Sequence, residues 1–187
     1  MQHRIFIAIN LPEKIKNKLS DYRIKWPELP CHWTKTENLH ITLAFLGPIS
    51  EEEILEILKT AKDVALRHEP FGIKLNKIIY GPPRKNPPRM VWAEGEKNEK
   101  LGRLQGDIEN SLQNFPEQKE NENRSFAPHI TLGRLKEWEF RKIELEERPQ
   151  IEEDVSINFN VNSIEIMESE LKREGPEYSI LESIPLG

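Results

Sequence analysis

The spacing of apolar residues along the chain changes repeatedly between the period of a strand and that of a helix. Arg4–Asn10 is apolar on both faces, which is typical of a central strand covered on both sides. Helical spacing begins after Pro12, after Ser50, which forms a capping box with Glu53, and from Leu101 onward. Further strands are predicted at Asn38–Gly47, Phe71–Tyr80, Met90–Glu94, His129–Leu135, Val155–Val161, Ser163–Ser169 and Glu177–Leu186.

The order of these elements indicates the fold class. Strands and helices do not alternate strictly, as they do in a parallel doubly wound sheet. We therefore predict an α+β fold with two lobes built on largely antiparallel sheets. The length of 187 residues suits one domain or two small lobes that share a core. We expect the strand that begins at Asn38 to end at Gly47-Pro48.

The sequence His-Ile-Thr-Leu occurs twice, at residues 40–43 and 129–132, once in each half of the chain. Side chains of a strand alternate between its two faces. Each copy therefore buries its aliphatic residues and presents an imidazole two residues from a hydroxyl. Ala44 and Gly133 come next on the polar face, where their small size would leave room for a ligand.

Two imidazoles and two hydroxyls that face one cleft suit phosphoryl chemistry. One neutral imidazole can take a proton from an attacking oxygen, and one imidazolium can protonate the leaving oxygen. Threonine hydroxyls can donate to the non-bridging oxygens. A single good metal ligand per strand argues against a metal site. The alternative is that both segments are ordinary strands with partly buried, hydrogen-bonded histidines.

Composition and charge restrict the partners. Apolar residues make up 36% of the chain and charged residues 32%, as in a soluble globular protein. The net charge of −5 makes the chain a poor candidate for coating long nucleic acid. A locally basic groove could still hold a short strand or one terminus. The basic, proline-rich loop around Arg84–Arg89 is a candidate for this, and a rigid solvated loop is the equally good alternative.

Nothing in the sequence indicates export or a membrane. No apolar run approaches the length of a membrane span, and the N-terminus lacks the order of a signal peptide. Cys31 is the single cysteine, which favours the reducing cytoplasm. A polar loop at Phe115–Ser125 is expected to be mobile. A monomer is the default expectation.

The paired HITL segments resemble the HxTx motifs of the 2H phosphoesterase superfamily. Within it, the chain resembles the bacterial and archaeal RNA 2',3'-cyclic phosphodiesterases, also called 2'-5' RNA ligases. The resemblance covers essentially the whole chain, in order. It is carried by "RIFIAINLP", "HWTKTENLHITLAFLG", "RMVWAEGE", "RSFAPHITLGRL" and "ESELKREGPEYSILESIPL".

This resemblance implies one bilobal domain over residues 1–187, with pseudo-twofold symmetry and a cleft between the lobes. The implied reaction opens the 2',3'-cyclic phosphate at an RNA 3' end to a 2'-phosphate, without a metal or another cofactor. By position, His40 is the proton donor and His129 the proton acceptor. Thr42 and Thr131 hold the phosphate. From the residues alone, the roles of the two histidines stay open.

Two further positions match the family pattern, each five residues after its histidine. Phe45 would stack on the terminal base, and Arg134 would bind phosphate or base. Strict alternation, however, places both on the face opposite the histidines. They reach the cleft only if the strands twist, bulge or end there. For Phe45, packing in the core is an equal alternative.

The sequence is also compatible with other functions. The same fold could carry out 2'-5' RNA ligation as its main reaction, or hydrolyse 2'-5' linked or small cyclic nucleotides. A third possibility is a non-catalytic protein that binds RNA ends in the same cleft. Intact histidines and threonines in both motifs argue against it, because binding alone needs no matched acid and base.

Overall fold

The computed structural model describes residues 2–83, 85–115, 128–173 and 175–187. In these ranges, antiparallel strands form two sheets with helices beside them, which confirms the α+β prediction. The strands are β1 (Gln2–Asn10), β2 (Cys31–Trp33), β3 (His40–Ser50), β4 (Phe71–Gly81), β5 (Met90–Gly95), β6 (His129–Leu135), β7 (Glu152–Val161), β8 (Ser163–Lys172) and β9 (Gly175–Pro185). The helices are α1 (Glu13–Asp21), α2 (Glu51–Ala65), α3 (Glu99–Ser111) and α4 (Glu137–Arg141).

The strand orders place the two HITL segments in different sheets. One is β3-β1-β8-β9 and the other is β2-β6-β5-β4-β7. Each HITL segment begins its strand, β3 in the first sheet and β6 in the second. A helix follows each of these strands, α2 after β3 and α4 after β6. β3 and β6 also contact each other, so the two motifs lie where the sheets meet.

The sheets do not follow the two halves of the chain. The last two strands, β8 and β9, complete the sheet that contains β1 and β3. Conversely, β2 from the first part of the chain pairs with β6. Each motif is therefore supported by strands that are distant from it in sequence.

One apolar core joins the sheets. Ile7 and Ile41 from the first sheet and Val91 and Ile130 from the second are fully buried in the same cluster. The apolar stripes of α2 and α3 pack into this cluster, and the two helices contact each other. Because a close-packed interior resists deformation, the shared core fixes the sheets relative to one another.

The prediction that the first motif strand ends at Gly47-Pro48 is wrong. β3 continues to Ser50. Gly47 has a φ of 78°, a conformation that glycine adopts at little cost. Pro48 is tolerated because β3 is an edge strand, where a missing N–H breaks no ladder. Ser50 then starts α2 through the predicted capping box with Glu53.

Two predicted loops fall partly outside the described residues. Arg84, in the basic, proline-rich loop, lies outside the described residues. Residues 116–125, which make up most of the loop expected to be mobile, also lie outside them. Among the helices in the described ranges, none has both the length and the apolar character needed to cross a membrane.

Candidate active site

Both motif strands bulge at the leucine of HITL. Between neighbouring residues of β1, the partner on β3 changes from Ala44 to Thr42, which leaves Leu43 as an extra residue. The pairing of β5 with β6 skips Leu132 in the same way. An extra residue in a strand shifts the alternation of side chains by one position. Residues after the bulge therefore point to the face opposite to the one that strict alternation predicts.

The bulges bring Phe45 and Arg134 to the side of the histidines. The two strands share one burial pattern, in which both residues are exposed. The Phe6 ring centroid lies 5.1 Å from that of His40 and 6.0 Å from that of Phe45. The prediction from strict alternation, that Phe45 and Arg134 face away from the histidines, is therefore wrong. Phe45 is 55% exposed, which also excludes packing in the core.

The expected ligand space beside Ala44 and Gly133 is also absent. Ala44 is buried in the core. A Cβ added at Gly133 would overlap the Cys31 sulfur and lie 3.1 Å from the Trp33 ring. Because the bulge turns these positions away from the polar face, their small size serves the close packing of strands instead.

The orientation of His40 is fixed by two hydrogen bonds. Its Nδ1 lies 2.7 Å from the Asn38 carbonyl oxygen, and its Nε2 lies 3.0 Å from Thr42 Oγ1. A carbonyl only accepts, so Nδ1 carries a proton and donates it. In the neutral ring, Nε2 then accepts from the Thr42 hydroxyl. Nε2 is thus the nitrogen that gains or loses the second proton.

Strand β9 supports this arrangement from the other side. The buried Asn38 side chain donates to the Pro176 carbonyl at 2.8 Å. The Tyr178 ring meets His40 edge to face, with 5.4 Å between centroids, and lies 5.1 Å from Phe6. These aromatic contacts, together with the hydrogen bond that ties Asn38 to β9, hold the imidazole in place.

The surroundings of His40 disfavour its charged form. Burial, together with the charges of Lys16, His129 and Arg134, lowers the pKa of His40 to about 4. The hydrogen bond to the Asn38 carbonyl acts in the opposite direction. Without a ligand, His40 is therefore neutral at pH 7.

The second histidine is held by stacking. The rings of His129 and Trp92 lie 3.9 Å apart between centroids, with 23° between their planes. Trp92 Nε1 donates to Met90 Sδ at 3.3 Å, and Arg134 Nη1 lies 3.9 Å from the same sulfur. Gly81 makes room for this stack, because a Cβ there would overlap the indole.

The two groups of side chains lie close enough to interact electrostatically. The charge of Arg134, on β6, acts on both His40 and Tyr178, on β3 and β9. Burial raises the pKa of Tyr178, and Arg134 partly offsets this. Aromatic rings on both sides and a cation beside them can hold a base and a phosphate together.

Reasoning from the sequence missed several residues at this site, namely Phe6, Lys16, Asn38, Trp92 and Tyr178. Trp92 carried a usable signal, because its strand was predicted and antiparallel pairing would place an aromatic residue beside the second motif. The others come from segments whose neighbours depend on the sheet order. Within the described ranges, no group of three or more His, Cys, Asp or Glu residues could hold a metal ion.

Comparison with known proteins tests the family resemblance. Residues 11–173 match the model of the 2'-5' RNA ligase superfamily. The chain belongs to this superfamily. The match confirms the resemblance to 2H phosphoesterases that the paired motifs indicate.

Two curated relatives carry the same name. The RNA 2',3'-cyclic phosphodiesterase of Methanocaldococcus jannaschii is 34% identical over 179 residues, which cover 95% of this chain and 98% of the relative. The protein of the same name from Thermotoga maritima is 32% identical, over 95% of this chain and 92% of the relative.

Solved structures agree with the fold. A crystal structure from Thermus thermophilus matches with a TM-score of 0.80 and 28% identity, over 98% of this chain and 97% of the other. The structure of E. coli LigT complexed with 3'-AMP matches with a TM-score of 0.77 and 25% identity, over 100% of this chain and 99% of the other.

Proposed function

We propose that this chain hydrolyses the 2',3'-cyclic phosphate at RNA 3' ends and leaves a 2'-phosphate. The observation that supports this most strongly is the matched pair of bulged motif strands, each of which carries a histidine and a threonine on one side. The relatives named RNA 2',3'-cyclic phosphodiesterase support the substrate class.

The proposed reaction divides the proton transfers between the histidines. Neutral His129 takes a proton from water, whose oxygen attacks the phosphorus. The bond from phosphorus to the 3'-oxygen breaks, and that oxygen takes a proton from His40. Thr42 and Thr131 donate hydrogen bonds to the non-bridging oxygens, where negative charge increases. The assignment of donor and acceptor follows the family resemblance.

The remaining contacts suit the nucleotide. Phe45 is exposed beside Phe6 and offers its ring to the terminal base. Arg134 lies beside Met90, whose sulfur also accepts from Trp92, and can bind a phosphate oxygen or a base edge. These roles explain why an exposed aromatic residue and an exposed arginine occupy equivalent positions in the two motifs.

A proton donor must be charged before it acts, so the low pKa of His40 has a testable consequence. In the free protein, we expect the His40 imidazole to titrate near pH 4, because burial disfavours the imidazolium. With inorganic phosphate bound, the midpoint should move to higher pH, since an anion stabilises the cation. Titration by NMR with and without phosphate measures both midpoints. A midpoint near 6.5 that phosphate does not move would contradict the proposed donor role.

Activity is expected to need no metal ion. An oligonucleotide that ends in a 2',3'-cyclic phosphate should be converted to the 2'-phosphate at the same rate with and without EDTA, because the two imidazoles supply both the acid and the base. Chromatography against synthetic 2'- and 3'-phosphate standards identifies the product. Loss of turnover in EDTA that zinc or manganese restores would overturn the mechanism. Binding without conversion would indicate an RNA-end binding protein.

A second candidate function uses the same groups. If the 5'-hydroxyl of another RNA replaces water, the same displacement forms a 2'-5' linkage. The name of the matching superfamily favours this reaction. Adding an oligonucleotide with a 5'-hydroxyl to the assay separates the candidates, because ligation gives a longer product that resists a 3'-5'-specific nuclease at the new linkage.

A further inference from the structure

Lys16 and His40 are anchored on consecutive carbonyl groups of one turn. The Lys16 ammonium donates to the Glu37 carbonyl at 2.6 Å. The His40 Nδ1 donates to the carbonyl of the next residue, Asn38, at 2.7 Å. A lysine on α1 is thereby held beside the imidazole at the start of β3.

The turn that carries both carbonyls is itself well fixed. It is the 3-10 segment Thr36–Asn38. At one end, the Ser20 and Thr36 hydroxyls lie 2.7 Å apart, which ties the turn to α1. At the other end, Asn38 is buried and bonds to Pro176 of β9. The carbonyl group that accepts from the Lys16 ammonium is therefore held in a fixed position.

The surroundings of Lys16 partly disfavour its charged form. Burial lowers its pKa, although the charges of Glu13, Glu37 and Glu165 partly offset that effect. In the described part of the chain, no carboxylate lies within ion-pair distance of the ammonium. An ammonium has three donors, and the Glu37 carbonyl takes one.

In the free protein, the charge of Lys16 also works against the proposed role of His40 as proton donor. Its positive charge disfavours a proton on His40. An anion bound to the ammonium would remove this opposition. The reacting cyclic phosphate carries one negative charge and already has the four motif side chains, so a neighbouring phosphate is the better match for Lys16.

On the basis of the proposed function, we propose that Lys16 binds the backbone phosphate on the 5' side of the terminal nucleotide. The substrate class is then an RNA of two or more nucleotides rather than a cyclic mononucleotide. Binding of this phosphate also neutralises Lys16 and favours the protonated His40. Both affinity and turnover are therefore higher for the longer substrate.

The test compares two substrates in the wild type and three variants. One substrate is a 2',3'-cyclic mononucleotide with a free 5'-hydroxyl, and the other is a dinucleotide that ends in the same cyclic phosphate. Lys16→Gln should lower kcat/KM for the dinucleotide about ten-fold. It should not lower kcat/KM for the mononucleotide, because loss of the Lys16 charge removes an effect that disfavours the proton on His40. The salt dependence for the dinucleotide should fall by about 0.7 in log–log slope. Lys14→Gln, an exposed lysine of the same helix, should match the wild type on both substrates.

Each of the remaining outcomes contradicts or supports either the role of Lys16 or the proposed function. An equal loss on both substrates would overturn the inference, since Lys16 would then act on the reacting phosphate or on folding, and thermal unfolding separates these two. No loss on either substrate would also overturn it. If the wild type converts neither substrate, the proposed function itself fails. Recovery of the dinucleotide rate in Lys16→Arg would support a role for the positive charge.

Discussion

Replacing either His40 or His129 by alanine is expected to lower turnover of a 2',3'-cyclic phosphate by about 10²–10⁴-fold. One imidazole donates a proton while the other accepts one, so neither can replace its partner. The double mutant should be little slower than either single mutant, because groups that act as a unit are strongly non-additive. Substrate affinity should change less, since Thr42, Thr131 and Arg134 stay in place.

A change of leaving group then distinguishes the two roles. A substrate that releases p-nitrophenolate needs no proton donor, so it should largely rescue His40→Ala and not His129→Ala. Rescue of His129→Ala instead would mean that the roles are reversed. His68→Ala is the matched control, because the hydrogen bond of the His68 side chain goes to Asp107 of α3 and not to a motif residue. Unchanged hydrolysis in both motif mutants would show that the repeated HITL is structural.

Gly81→Ala should damage both stability and activity. The new methyl group would overlap the Trp92 indole, and Trp92 is the ring on which His129 stacks. Overpacking of this kind costs about 1–3 kcal/mol of unfolding free energy. Because the displaced indole takes His129 with it, we expect turnover to fall by about ten-fold or more, as displacement of a catalytic group by a fraction of an ångström is costly. Urea unfolding and steady-state kinetics measure the two effects.

Gly102→Ala provides the control for this substitution. A Cβ at Gly102 meets nothing within 4 Å, and alanine favours the helix α3 by up to about 1 kcal/mol. A second test replaces Trp92 by leucine first, after which Gly81→Ala should cost much less. If Gly81→Ala is as stable and active as Gly102→Ala, the stack does not position His129.

The sequence predicted the parts of this fold that depend on local patterns. The period of apolar residues predicted most strands and the three longer helices, and Ser50 with Glu53 predicted a helix start that the structure confirms. The short strand β2 was missed, because three residues carry too little pattern to separate a strand from a loop.

The orientation of Phe45 and Arg134 could not be predicted from the period of apolar residues. Alternation assumes a regular pleat, and each motif strand departs from it at a leucine that looks ordinary in sequence. A bulge depends on how the strand pairs with its neighbour, here β1 for β3 and β5 for β6. The bulges supply the departure from strict alternation that Phe45 and Arg134 need to reach the side of the histidines.

The surroundings of His40 could not be predicted for a different reason. Lys16, Asn38 and Tyr178 reach it only because α1, the turn before β3 and strand β9 meet at one end of a sheet. That meeting depends on the pairing of β8 with β1, which joins distant parts of the chain. Local periodicity holds no information about such pairings.

The pairing of the first strands with the last ones has a consequence for synthesis on the ribosome. When translation reaches the end of β7, all five strands of the sheet around His129 have been made. The sheet around His40 still lacks β8 and β9, and the edge of β1 that will pair with β8 stays open until they emerge. The motif that is translated first thus belongs to the sheet that is completed last.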